Sequence, residues 1–302
     1  MAVSVKIIKT RIKSIKNIKK ITKTMEMVAA AKMRKAIRAV SLSRNYVTTA
    51  GHILESIVDK IDRQQHPLLN KRKEIKKIGV VLFSSNRGLC GGFNAQIVSK
   101  TVDYINKLKV SLGGEIQEEW IVVGKKGALL LNRYQKNLVA VFEKAEMAST
   151  LEEILPVSKM ILENYSSGSY DLVVVAFTDF VSVLKQKPQI KVVLPIDNLS
   201  GEDWLELNEK NQNQKPAGEI LFEPQADEIL AKFLPHLVTM QFYQALLESN
   251  ASEHSSRMAA MRNASDATGD IIDSLTLTYN QVRQAGITRE IAEIAGAKVA
   301  MG

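Results

Sequence analysis

Proline is missing from the first 60 residues of this 302-residue chain, and Gly51 is the only glycine among them. Nothing there forces a helix to break, and at about 1.5 Å per residue an unbroken one would run roughly 90 Å. No ordinary globular core is that deep. Cysteine is almost absent: Cys90 stands alone, so no disulfide can form within the chain, and no clustered Cys/His set offers a metal site. A reducing cytoplasm is the simplest compartment. Apolar runs such as Leu172 to Phe177 fall far short of the roughly 18 residues a membrane helix needs, so no direct membrane insertion is expected. Acids are absent from residues 1–25, which carry eight Lys/Arg and so mimic a transit peptide or a basic amphipathic membrane helix. The apolar period runs on to Ile61 without a small-residue cleavage site, which argues against a removable leader. Aromatics are scarce as well. Tyr46 is the sole one in the first 60 residues, and no zinc-ligand or helix-turn-helix pattern accompanies the positive charge, which weakens a nucleic-acid reading.

What is present is a strong charge asymmetry. Residues 1–77 hold 20 Lys/Arg against 5 Asp/Glu, leaving 21 against 27 for the remainder. The front calls for an acidic partner: nucleic acid, a lipid surface, or a protein with exposed carboxylates. Met33, Ile37, Val40, Val47, Leu54, Val58 and Ile61 fall on steps of four and three, a heptad seam. Upstream, Val5, Ile8, Ile12, Ile15, Ile18, Ile21, Met25 and Val28 continue it with surplus steps of three. In the back the register passes through Leu237, Met240, Gln244, Leu247, Ala251, His254, Met258, Met261, Ser265, Thr268, Ile272, Leu275, Tyr279 and Val282. Two narrow apolar stripes are most easily covered by winding around each other. Between Ala251 and Asp270 ten of twenty residues are Ala, Ser or Gly, which fits either a weak coiled coil or a rod that slides past partners without deep anchoring.

Between the ends, Ile78 to Ser84, Ile121 to Gly124, Leu138 to Phe142, Asp171 to Phe180 and Gln189 to Pro195 read as strands. Helical patterns separate the first four, with Ile97, Thr101, Ile105 and Leu108 on one face and a Thr150/Glu153 capping box further on. Alternating β and α implies a mostly parallel, Rossmann-like three-layer domain, and the short link from Phe180 to Gln189 an antiparallel final pair. The expected layout is an α/β protein in which long N- and C-terminal helices, 1–60 and 225–296, form an antiparallel coiled coil. The α/β domain spans 75–196, and a polar loop, 197–224, ends at Pro224 near a helix start.

The loop Ser84 to Asn94 follows a strand and opens a helix, where nucleotide-binding folds keep their phosphate cradle. It has neither GxGxxG spacing nor a Lys-Ser/Thr ending, so a tight turn with close backbone packing is the better reading. Cys90 has no histidine base in the sheet domain, because His52, His66, His236 and His254 lie in or beside the long helices. Gly124 and Gly127 around Lys125 and Lys126 read as a turn after a strand. No catalytic residue, cofactor or metal ligand is expected.

Three separated blocks carry a family resemblance. The front has Ile21-Thr22-Lys23, then Met25, Met27, Val28, Ala29, Ala30, Lys32, Met33 and Arg34. The centre has Arg87-Gly88-Leu89-Cys90-Gly91-Gly92 and Asn94. The back has Arg257, Met258, Met261, Ala264, Asp266, Tyr279-Asn280, Arg283-Gln284-Ala285, Ile287-Thr288, Glu290-Ile291 and Glu293-Ile294. In these blocks the chain resembles the gamma chains of F-type ATP synthases; Asn86, where that family usually has Asp, and the tail Lys298 to Gly302 depart from it. The resemblance implies a non-catalytic rotor shaft coupling ion flow through the membrane c-ring to ATP synthesis or hydrolysis. The helix pair would sit inside a hexamer of alpha and beta chains, and the sheet domain against the epsilon chain and the c-ring. It implies that Met25 faces the acidic lever of a beta chain, that Arg257 lies near that contact, and that Arg283, Gln284 and Thr288 form a polar catch. It further implies a peripheral place on the cytoplasmic face of a bacterial cell membrane, and no dithiol switch. The alternative is a basic coiled-coil protein binding nucleic acid or an anionic membrane through residues 6–38. A nucleotide-using enzyme built on the sheet domain is the third class.

Overall fold

Trp120, Ile121, Val122 and Val123 form the buried end of a strand whose neighbours are just as apolar, and this stacking of branched side chains sets the centre of the fold. The computed structural model describes residues 5–58, 66–72, 74–113, 115–144, 150–196 and 226–301. Helix α1 runs Val5–Val58, followed by β1 (Lys77–Phe83), α2 (Phe93–Leu112), β2 (Gln117–Val123), α3 (Lys125–Arg133), β3 (Leu138–Phe142), α4 (Leu151–Ser166), β4 (Leu172–Phe180) and β5 (Gln186–Leu194). Helix α5 closes the chain at Ala226–Met301. Ile61, the loop 197–224 and Pro224 lie outside the described residues, as do the side chains of Leu54 and Val58.

The five strands stand in the order β3-β2-β1-β4-β5, with β1 to β4 parallel and β5 antiparallel to β4, as the sequence implies. Central parallel strands are buried on both faces and read as continuous apolar runs. On one face Ile78, Val80, Leu82, Trp120 and Val174 pack against Ile97, Val98, Val102 and Ile105 of α2 and Leu131 of α3. On the other, Val81, Phe83, Ile121, Val173 and Val175 pack against Ile154, Val157 and Ile161 of α4 and Leu230, Leu234, Val238 and Phe242 of α5. The early part of α5 is therefore a sheet-covering helix. The expected capping box opens α4, where Glu153 accepts the Thr150 N–H at 3.2 Å.

Two local readings need correction. Strand β2 begins at Gln117, four residues before the expected Ile121. Its polar half is satisfied by ion pairs: Glu118 meets Lys109 at 2.8 Å and Lys136 at 2.7 Å, and Glu119 meets Lys77 at 2.7 Å. Gly124 and Gly127 do not mark a free turn but launch α3 directly from β2. Gly124 adopts φ 110°, and a Cβ there would come within 2.4 Å of the Ser84 carbonyl oxygen. The Gly127 N–H donates to Ser84 Oγ at 3.0 Å.

The chain divides into two compact units, one of residues 1–30 with 257–302 and the other of residues 31–256. Helices α1 and α5 run antiparallel. In the second unit Val40 packs on Leu247 and Ala251, Arg44 meets Glu248, and Tyr46 meets His236, so the partner's number falls as that on α1 rises. In the first unit Lys19 approaches Gly269, where an added Cβ would lie 2.9 Å from its Nζ. All fourteen seam positions expected on α5 are buried or half-buried.

The α1 seam differs from expectation. Ile18, Ile21 and Val28 are exposed, at 48%, 58% and 50%, while Thr22 and Glu26 are half-buried and Ala29 is buried. A step of three residues turns about 300° and falls short of a full turn, so consecutive threes swing off the contact face. The buried face follows four-three spacing through Ile8, Ile12, Ile15, Thr22, Glu26, Ala29, Met33, Ala36, Val40, Ser43, Val47 and Ala50, interrupted once where Lys19, between Ile15 and Thr22, is exposed. Small and polar residues hold the missing places.

Candidate partner-binding surface and a filled crevice

In an open sheet of this type ligands bind beyond the carboxyl ends of the strands where the chain reverses direction. Here that point lies between β1 and β4, since β1 leads outward to β2 and β3 and α4 returns to the other side of β1. Helix α5 occupies it. Ser252 donates its hydroxyl to the Thr178 carbonyl at 3.0 Å, and Ser256 to the Cys90 carbonyl at 2.9 Å. Ser255 donates to the Val183 carbonyl at 2.7 Å, and Glu248 accepts the Phe180 N–H at 3.1 Å.

The loop after β1 is folded for this contact. Leu89 and Gly91 adopt φ 62° and 57°, and Asn94 accepts the Ser85 N–H at 3.0 Å. Cys90 is buried beside Asn94 Nδ2 at 3.2 Å. The loop is the close-packed turn the sequence suggested, and its backbone is turned to α5. The serines of the small-residue run have a second use that composition concealed. Ala251, Ser252 and Ser255 are fully buried, so this end of the run is not an outward sliding face.

Two ionic clusters bind the same stretch of α5. Arg44 places Nε 2.8 Å and Nη2 2.7 Å from Glu248 Oε1, with Nη2 also 3.3 Å from Asp179 Oδ1. Burial raises the Glu248 carboxyl above its ordinary value; the Arg44 charge opposes this and Asp179 adds to it. Lys144 meets Glu253 at 2.7 Å, and Asn86 donates to the Lys144 carbonyl at 2.7 Å. None of this cluster was legible in the sequence, because the partners lie far apart along the chain.

The five residues expected at partner contacts all fall in the first unit. Met25 is half-buried on α1 and Arg257 half-buried on α5, while Arg283, Gln284 and Thr288 are exposed on the same helix. They form two groups, since Arg283 lies about 39 Å along the helix from Arg257 at 1.5 Å per residue. Gln284 and Thr288, four apart, share one helix face. Ile18, Ile21 and Val28 line α1 beside Met25 as an exposed apolar strip, although their spacing places them in the seam. Among the described residues, no helix is long and apolar enough to cross a membrane and no His/Cys/Asp/Glu group is arranged to hold a metal.

A paired-helix protein with a five-stranded sheet domain docked on its own C-terminal helix has the fold of a rotary-ATPase central stalk. The chain superposes on a chain of the Tetrahymena thermophila mitochondrial ATP synthase central stalk and c-ring with a TM-score of 0.60 at 23% identity, covering 81% of this chain and 99% of that one. On a chain of the Euglena gracilis mitochondrial ATP synthase OSCP/F1/c-ring assembly the TM-score is 0.65 at 18% identity, covering 98% and 94%. In sequence, the family model described as ATP synthase matches residues 4–301. ATP synthase gamma chains of Coxiella burnetii and Heliobacterium modesticaldum are 34% and 38% identical over 299 and 295 residues, covering 97% and 98% of this chain and 98% of each relative. The chain belongs to the ATP synthase gamma chain family. These matches give no support to the nucleic-acid or anionic-membrane alternative.

Proposed function

We propose that this chain is the central rotor shaft of an F-type ATP synthase, coupling ion flow through the membrane c-ring to ATP synthesis or hydrolysis at beta chains. It binds no nucleotide itself. The observation that carries this reading is the filled crevice: the place where such a sheet would hold a nucleotide is taken by Ser252, Ser256 and Glu248 of α5. Filling it joins the sheet domain to the shaft.

Its partners in this reading are the alpha and beta chains of the catalytic hexamer, the epsilon chain and the c-ring, with the complex on the cytoplasmic face of a bacterial membrane. Met25 and the strip Ile18, Ile21 and Val28 face the acidic lever of a beta chain, with Arg257 near the same contact. Arg283, Gln284 and Thr288 form the polar catch. The shaft acts by making three chemically equal beta sites differ in affinity at any instant, a population shift. A positive α1 among beta carboxylates gains attraction that changes only modestly with angle, whereas strong ion pairs would trap one orientation. Mixing the chain with its alpha and beta chains should yield one copy per hexamer; absence of a stoichiometric complex would overturn the reading.

A further inference from the structure

If the chain turns as a shaft, torque must cross from the helix pair to the sheet domain without slip. Apolar packing resists separation, but its driving force carries no direction of its own. Directional, charge-assisted hydrogen bonds do fix an angle between packed elements. In the second unit two such sets reach α5: the Lys144–Glu253 pair joins it to the sheet domain, and the set centred on one guanidinium takes in α1 as well. Arg44 leaves α1, meets Glu248 of α5 at 2.7 Å, and reaches Asp179 Oδ1 and the Phe180 carbonyl at the end of β4, both at 3.3 Å. Glu248 closes the ring by accepting the Phe180 N–H at 3.1 Å and the Gln244 amide at 2.8 Å. Around it lies an apolar contact of Ala36, Ile37, Ala39, Val40, Tyr243, Leu247 and Ala251, with Phe180 packed beside them.

We infer that Arg44 is a positioning residue for rotary coupling: its guanidinium is a torque joint that fixes α1, α5 and the end of β4 at one mutual angle. This rests on the shaft reading. The joint adds nothing to nucleotide chemistry, and its loss softens the shaft without stopping the beta chains from hydrolysing ATP.

The test uses the complete complex, with the hexamer fixed to a surface and a bead attached through Lys107→Cys on the exposed side of α2, Cys90 being buried. Torsional stiffness is read from the bead's angular fluctuation during pauses, and ions moved per ATP in vesicles. For Arg44→Met, stiffness falls by about half and ions per ATP decline, while unloaded ATP hydrolysis keeps its wild-type rate. Arg44→Lys, which keeps the charge but not the fork, falls between. Asp179→Ala keeps the Arg44–Glu248 pair but removes the acceptor at the end of β4, and also softens the shaft. Should Arg44→Met fail to assemble, Asp179→Ala decides alone. Wild-type stiffness and wild-type ions per ATP in every assembling variant would overturn the joint. A wild-type complex that hydrolyses ATP without turning the bead would instead overturn the shaft reading.

Discussion

Lys144 and Glu253 meet at 2.7 Å with side chains only 5% and 8% exposed, joining the segment after β3 to α5. Removing one member of a buried pair leaves the other's charge less compensated, which costs up to about 3–5 kcal/mol. Lys144→Met should therefore lose stability on that scale, and Lys144→Met with Glu253→Leu should regain most of it. Denaturant melts of the two single variants and the double variant check this; a double variant no better than Lys144→Met would contradict it.

Glu248 and Glu118 should respond to pH with opposite signs. Glu248 is raised in the folded chain by burial, so it binds its proton more tightly when folded, and its contribution to stability falls as pH rises upward from the ordinary carboxylate range. Burial also pushes Glu118 up, but hydrogen bonds and charge from Lys109 and Lys136 outweigh it and leave the carboxyl below its ordinary value. Its stabilisation is present above that value and lost as pH falls through the lowered one. Relative to Glu248→Gln, the wild type should lose stability with rising pH; relative to Glu118→Gln, it should lose stability with falling pH. Melts of all three chains across the acidic range compare them directly.

The exposed strip and the buried seam on α1 separate by substitution. Ile21→Asp changes a largely exposed side chain and should alter the isolated chain's stability by within about 0.5 kcal/mol, yet weaken assembly with the hexamer. Ala29→Leu overfills a buried seam position and should cost about 1–3 kcal/mol in the isolated chain. Thermal melts and assembly titrations of both variants would expose a reversed pattern.

Half of this architecture was open to inspection of the sequence and half was not, for reasons particular residues make plain. Val173 to Val175 announce a central strand because both of its faces are buried, and Thr150 and Glu153 announce a helix start because their bonding is local. Among the described side chains the α1 seam departs from expectation only at Ile18, Ile21 and Val28, which look like core while Thr22, Glu26 and Ala29 do the packing; Val5, Ile8, Ile12, Ile15, Met25, Met33, Ile37, Val40 and Val47 are buried or half-buried as expected. The start of β2 was hidden by Glu118 and Glu119, whose charges are matched by lysines from other elements. The Ser252, Ser255 and Ser256 bonds to strand-end carbonyls depend on tertiary geometry that no local pattern encodes.

Gly124→Ala should be far worse than an ordinary glycine replacement. The added methyl meets the Ser84 carbonyl at 2.4 Å and the backbone stands at φ 110°, so a loss of roughly 3 kcal/mol or more is expected. Gly113→Ala, with φ 63° and nothing within 4 Å of the added carbon, should cost about 1 kcal/mol. Equal losses in denaturant melts would show that the β2-to-α3 junction is not held by close backbone approach.

Arg283→Ala should remove charge-assisted hydrogen bonds worth about 1.5–3 kcal/mol in the favoured angular state, lowering ATP turnover while leaving assembly intact. Unchanged turnover in the reconstituted complex would remove Arg283 from the catch.

The most direct measurement fixes the alpha and beta hexamer to a surface, attaches a bead to the sheet domain of this chain, and supplies ATP. Rotation in one direction with three pauses per turn, one for each beta site, is the expected result. A bead that stays still, or wanders both ways, while the hexamer consumes ATP at full rate would contradict it.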